Sequence, residues 1–163
     1  MSKGPACEIT SVAMPAAREV ISHAGKSREA FDAELDAGLR AAGAELVVLA
    51  GFMRILSNGF VRGWEGRLIN IHPSLLPAYR GTKVHERVIA AGERESGASV
   101  HFVVPELDAG PVIAQTKVPV HSDDTPESLA ARILAVEHKL YPDALKLLAS
   151  GKVRLEEGQT VRL

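Results

Sequence analysis

Between Ser27 and Gly43 the apolar residues Phe31, Leu35 and Leu39 recur every four positions. That spacing marks one buried helical stripe. Ser27 is placed to cap the helix start and Gly43 to end it, so the pattern predicts a helix to about Ala42. The pattern then changes. Leu46-Val47-Val48-Leu49-Ala50 is an unbroken apolar run, short and β-rich, which predicts a parallel strand buried on both faces. A second strand is predicted over 67–71, with a turn and a short helix between the two. Residues 84–91 predict a short helix stopped by Gly92. Residues 98–104 and 112–120 predict a strand pair. Thr125 followed by Pro126 is a helix start, an N-cap with proline at the first helical position. Leu129, Ile133, Val136 and Leu140 mark its core face, and Pro142 is expected to break or kink it. Residues 153–163 suggest a hairpin turning near Glu157-Gly158. Before Ser27 only a short strand over 7–12 is suggested, and the stretch 13–26, punctuated by Met14-Pro15 and Gly25, carries no clear pattern.

Helix, strand, helix, strand in that order implies an α/β sheet with crossover connections. The expected fold is three-layered, with a mostly parallel sheet closed by an antiparallel pair. A length of 163 residues fits one domain with its own core. Hydrophobic residues at 46% and charged residues at 24% are ordinary for a soluble globular protein. The net charge of −1 argues against nucleic acid as the main partner, because phosphate backbones favour clustered Lys and Arg. The single cysteine, Cys7, cannot form an internal disulfide, and no Cys/His spacing suggests zinc or another metal. No apolar run approaches the roughly 18 residues of a membrane span, and the first residues lack a signal-peptide pattern. A cytoplasmic protein is the expectation.

Chemistry concentrates in a few places. Asn70 and His72 lie two apart at the end of a predicted strand, so both side chains share one face. The carboxyl ends of strands are where open α/β sheets bind ligands. Glu106-Leu107-Asp108-Ala109-Gly110-Pro111 is an acidic loop between two strands, of interest if Asp108 meets His72. Gly51-Phe52-Met53-Arg54-Ile55-Leu56 leaves the carboxyl end of the most apolar strand, where apolar groups and free amides suit a flat heterocycle. Glu137 flanks the apolar stripe of the last helix. Each has an ordinary explanation as well: backbone-capping polar residues, a simple turn, loop packing, a solvated helix face. His101 alternates with apolar residues and reads as structural or exposed. Dinucleotide, P-loop and Gly-x-Ser-x-Gly signatures are absent from the sequence.

Taken in order, five blocks are more specific than any one of them. They are LVVLAGFMRIL from Leu46, NIHPSLLP from Asn70, SVHF from Ser99, LDAGPVI from Leu107 and EHKLYP from Glu137. With these the chain resembles the folate-dependent formyltransferases of the glycinamide ribonucleotide type, over roughly residues 27–153. The resemblance implies a Rossmann-like formyltransferase fold. It also implies transfer of a formyl group from 10-formyltetrahydrofolate, a cosubstrate, to the amine of glycinamide ribonucleotide in purine synthesis. Carried over by motif, it assigns Asn70, His72 and Asp108 to catalysis. It assigns Met53, Arg54, Ile55 and Leu56, with Val104, Pro105, Glu106 and Leu107, to the folate, and Arg28, Leu134 and Glu137 to the ribonucleotide. The partners implied are small molecules, with a monomer or homodimer as the assembly and no metal.

These residue types suit the reaction. An amine attacks the formyl carbonyl and negative charge builds on its oxygen. Donors aimed there lower the barrier. Asn70 offers an amide N–H, and a protonated His72 beside a carboxylate offers a charge-assisted donor. Two departures stand out. The family's Gly-containing phosphate loop at a helix N-terminus has no counterpart before Ser27, so the resemblance implies a single domain over 1–163 lacking its first β-α unit. Arg80-Gly81 after Tyr79 resembles methionyl-tRNA formyltransferases instead. Three rivals therefore stay open: a formyltetrahydrofolate deformylase, a methionyl-tRNA formyltransferase, and a folate-binding remnant without turnover.

Overall fold

The computed structural model describes residues 7–10 and 18–163, with side-chain surroundings from residue 19 onward. Its first two elements are strands β1 (Cys7–Thr10) and β2 (Arg18–Ile21), paired as an antiparallel hairpin. The unpatterned stretch therefore contains a strand. Met14-Pro15, the end of the expected 7–12 strand, and the Cys7 thiol lie outside the described residues.

Helix α1 (Arg28–Ala41) starts at Ser27, whose side chain accepts from the Ala30 amide. Phe31, Leu35 and Leu39 form its buried stripe, and Gly43 leaves it at a positive φ of 68°. Strand β3 (Val47–Leu49), helix α2 (Asn58–Gly63) and strand β4 (Leu68–His72) follow. Helix α3 (Val84–Ala90) leads to strands β5 (Glu95–Phe102) and β6 (Val112–Pro119). The long helix α4 (Pro126–Ala149) and a terminal hairpin, β7 (Val153–Glu156) and β8 (Gln159–Arg162), complete the order. Glu157 and Gly158 both have positive φ, as the two-residue turn of such a hairpin requires.

The main sheet runs β3-β4-β5-β6. Layers of helix lie on each side of it. One core cluster joins α1 and α2 to Val47 and Leu68, and the other joins α3 and α4 to Ile69, Val100, Phe102 and Ile113. Leu68 and Ile69 are neighbours in sequence and serve opposite faces, as the strand period dictates.

Three expectations need correction. The described sheet is mixed: β3 and β4 are parallel, whereas β4–β5 and β5–β6 are antiparallel. Among the described strands of this sheet only β3-α2-β4 is a crossover; the connection through α3 returns β5 against β4, and the next loop returns β6 against β5. Strand β3 is buried on one face only, since Val47 is 7% exposed and Val48 40%. Finally, α4 continues through Pro142, so of the expected break or kink the break does not occur. Proline removes the amide that would bond the His138 carbonyl, but Pro142 and His138 are both exposed, so water can serve that carbonyl. Leu140 and Ala144 meanwhile stay in the core.

The start of α4 is well secured. Thr125 and Ser128 exchange side chain–backbone hydrogen bonds in a capping box. Asp124 takes both guanidinium nitrogens of Arg132, at 2.6 and 2.8 Å. That pairing holds the Asp124 carboxyl well below the usual carboxylate range, with help from the His121 amide and the Ser128 hydroxyl.

Candidate active site

Antiparallel pairing builds the site. Asn70 stands opposite His101, and His72 opposite Ser99. Directly opposed residues share a face, so four polar side chains line one patch of β4 and β5. The β5–β6 register shifts between Val100 and His101, a bulge of the kind that re-aims a side chain beside a site. Residues 103–111 then fold back over the patch and deliver Asp108.

The distances are close. His72 Nδ1 lies 3.5 Å from Asp108 Oδ2, with both side chains 8% exposed. On its other edge Asp108 Oδ1 lies 3.9 Å from His101 Nε2. The Gly81 amide donates to Asp108 Oδ2 at 2.9 Å. Each imidazole is held on its far side by a carbonyl: His72 Nε2 donates to Tyr79 O, and His101 Nδ1 donates to Phe102 O, both at 2.9 Å. A carbonyl can only accept, which fixes these two nitrogens as protonated. Asn70 is half-buried, and among the described residues no side-chain hydrogen bond occupies its amide.

The backbone is strained where these groups meet. Asp108 has φ of 50° and Tyr79 φ of 55°. Left-handed residues of this kind cost on the order of 1–2 kcal/mol each, and such strain gathers at functional sites. Asp tolerates the region better than Tyr does. Gly110 is needed for another reason: a Cβ there would lie 1.6 Å from the Phe102 carbonyl oxygen. A buried network braces the opposite wall. The Ser99 hydroxyl donates to Ser74 O at 2.7 Å and accepts from the Leu76 amide and the Gln115 side chain. It pins the 73–79 turn that carries the Tyr79 carbonyl.

Burial pushes the His101 imidazole below its ordinary value, opposed by the Phe102 carbonyl and by Asp108. Burial lowers His85 on α3 in the same way and raises the Glu137 carboxyl. It also drives the Tyr141 hydroxyl far up; that hydroxyl donates to the carbonyls of Leu49 and Ile69 and ties α4 to β3 and β4.

The other sequence-assigned residues divide. Met53, Ile55 and Leu107 are exposed at 84, 57 and 55%. Arg54 lies over the Phe31 ring at 4.9 Å. Leu56 is buried in the core cluster of α1 and α2. Val104 and Pro105 line a shallow hollow of about 220 Å³ with Val61, Arg62, Glu65 and Val103. Glu106 is exposed and pairs with Arg80 at 3.3 Å. Arg28 is exposed in the first turn of α1, Leu134 is half exposed on α4, and Glu137 lies one turn before Tyr141. No hydrogen bond or ion pair among the described residues links Arg28, Leu134 or Glu137 to the Asn70–His72–Asp108 group. His101 is the residue sequence reading missed: it is buried at 2% and joins the group. Its alternation with apolar neighbours gave the face, but only the strand register shows what it faces.

Among the described residues no group of three or more His, Cys, Asp or Glu side chains is placed to hold a metal ion. No described helix is long and apolar enough to cross a membrane.

Comparison with known proteins identifies the family. The chain matches the model of the formyl transferase family over residues 4–145. It is 52% identical over 132 residues to the trifunctional purine biosynthetic protein adenosine-3 of Bos taurus, covering 81% of this chain and 13% of that one. It is 47% identical over 142 residues to the phosphoribosylglycinamide formyltransferase of Escherichia coli, covering 87% of this chain and 67% of the relative. Among solved structures, the phosphoribosylglycinamide formyltransferase of Coxiella burnetii superposes with a TM-score of 0.83 at 45% identity, covering 88% of this chain and 68% of that one. A formyltetrahydrofolate deformylase from Burkholderia mallei superposes at 0.79 with 33% identity, covering 88% and 51%. A family match over most of its length, together with these relatives, places the chain in the formyl transferase family.

Proposed function

We propose that residues 1–163 act as one formyltransferase domain that moves a formyl group from 10-formyltetrahydrofolate to the amine of glycinamide ribonucleotide. The observation that carries this reading is the buried approach of His72 Nδ1 to Asp108 Oδ2 at 3.5 Å, with Asn70 on the same strand face. Relatives named for this reaction, 45–47% identical to the chain, support the choice of acceptor.

The Asn70 amide is free to donate to the formyl oxygen as charge develops on it. Removing one donor of this kind costs about 3–4 kcal/mol in comparable sites. With Nε2 donating to Tyr79 O, the His72 Nδ1 faces Asp108 Oδ2 at 3.5 Å. The amine must lose a proton while the folate nitrogen gains one, and the His72–Asp108 pair is placed to carry it. Exposed Met53, Ile55 and Leu107, with Arg54, Val104, Pro105 and Glu106, form the surface against which the folate would lie. Leu56 supports it from the core. Arg28, Leu134 and Glu137 are the proposed ribonucleotide contacts.

Likeness to deformylases favours one second reading, formyl transfer to water. The test is to follow a labelled formyl group. Label in formylglycinamide ribonucleotide supports the proposal. Label in formate, whether or not the amine is present, supports the hydrolase.

A further inference from the structure

Asp108 faces two histidines. His101 Nε2 is 3.9 Å from Oδ1, the side chain is buried, and this nitrogen has no hydrogen-bond partner. Because Nδ1 donates to Phe102 O, Nε2 of the neutral ring is a bare lone pair. A buried acceptor left unpaired is destabilising, so its retention calls for an explanation. The group nearest to it is Asp108 Oδ1, while Asp108 Oδ2 faces His72. Both distances exceed a hydrogen bond, as acid–base contacts do before substrate arrives. The bulge at Val100/His101 and the bare Gly110 beside the Phe102 carbonyl both serve to aim this ring.

We propose that His101 is a positioning residue for Asp108: its Nε2 accepts a hydrogen bond from the proton that Asp108 Oδ1 carries during turnover. This inference rests on the formyl-transfer reading. The proton balance is simple. The attacking amine gives up one proton on forming its C–N bond, and the folate nitrogen takes up one as its C–N bond breaks. Between those events the proton resides on Asp108 Oδ1, hydrogen-bonded to His101 Nε2, and it returns by the same route, so the site gains and loses nothing. His72 keeps the Nε2 proton that it donates to Tyr79 O throughout. The titratable groups reaching His101 are Asp108 from the 103–111 loop and His72 from β4. His85 from α3 reaches His72, and the β6 neighbour Val112 is uncharged.

Two measurements on the full chain test this. The first needs no activity: ¹⁵N-histidine titration by NMR of the wild type and of Asp108→Asn. The neutral His101 ring should carry its proton on Nδ1, and its midpoint should fall by about half a pH unit or more in Asp108→Asn. A proton on Nε2, or an unmoved midpoint, overturns the proposal. The second is His101→Asn, whose side-chain N–H replaces the Nδ1 donor while Nε2 is lost. We expect kcat to fall about tenfold to a hundredfold, with both KM values within about twofold and a changed pH–rate profile. A folded His101→Asn protein with wild-type kcat and pH profile overturns it. If the wild type transfers no formyl group, the function reading fails, and the titration still decides whether Asp108 and His101 are coupled.

Discussion

Strands β3 and β5 belong to one sheet and reverse what their sequences suggest. Val47-Val48-Leu49 comes from the most apolar run in the chain, yet Val48 is 40% exposed and Leu49 only half-buried. Strand β5, Glu95–Phe102, carries two serines, a glycine and a histidine, yet every residue from Ser96 onward is buried. Position explains the difference. Strand β5 lies between β4 and β6 with α4 across one face and the 73–79 turn across the other, while β3 pairs with β4 on one side among the described strands. Two polar residues of β5 have work in the site, since Ser99 pins the turn and His101 faces Asp108, whereas the Ser96 hydroxyl is buried without a hydrogen-bond partner. Gly97 admits the Thr116 backbone, whose oxygen would lie 2.0 Å from a Cβ there. Burial in this protein follows the site and its bracing, not the hydrophobicity of the strand.

The comparison can be broken at several strengths. Gly110→Ala should act most severely, since the new carbon would overlap the Phe102 carbonyl. The 103–111 loop must move, and Asp108 with it. We expect a loss of more than about 4 kcal/mol in unfolding free energy, read by urea denaturation, with transfer activity abolished. Next, Phe102→Ala should cost about 3–5 kcal/mol, the range for a fully buried aromatic. Val48→Ala in the more apolar strand should stay within about 0.5 kcal/mol. Equal losses in both would contradict the contrast.

The smallest effect is pH. His101 and His85 resist protonation when folded, so the unfolded chain binds more protons below the ordinary imidazole value of about 6.5. Their contribution to stability is complete above that value and is lost as pH falls below it toward the folded values. Denaturation midpoints measured between about pH 8 and pH 5 should decline on the acid side, and His101→Asn should flatten the decline.

Local chemistry made much of the fold legible. The Ser27 and Thr125 caps, the stop at Gly43 and the Glu157-Gly158 turn are decided within a few residues, and the helices and the hairpin fall where those signals put them. Long-range pairing was not legible. Nothing near Glu95 announces that β5 starts there or runs antiparallel to β4, and nothing near Pro142 tells that its helix face is wet enough to continue. The site divides the same way. Asn70 and His72 share a face by the strand period alone, and Asp108 was suspected from its loop. His101 enters only because a register puts it opposite Asn70, and the burial of Leu56 follows from long-range packing that its own loop does not announce.

The most direct test of the account is the rate of labelled formyl transfer from 10-formyltetrahydrofolate to glycinamide ribonucleotide, wild type beside His72→Ala. The account predicts formylated ribonucleotide from the wild type and a loss of about a hundredfold or more in the variant. Formate as the wild-type product, or a variant that transfers at the wild-type rate, would contradict it.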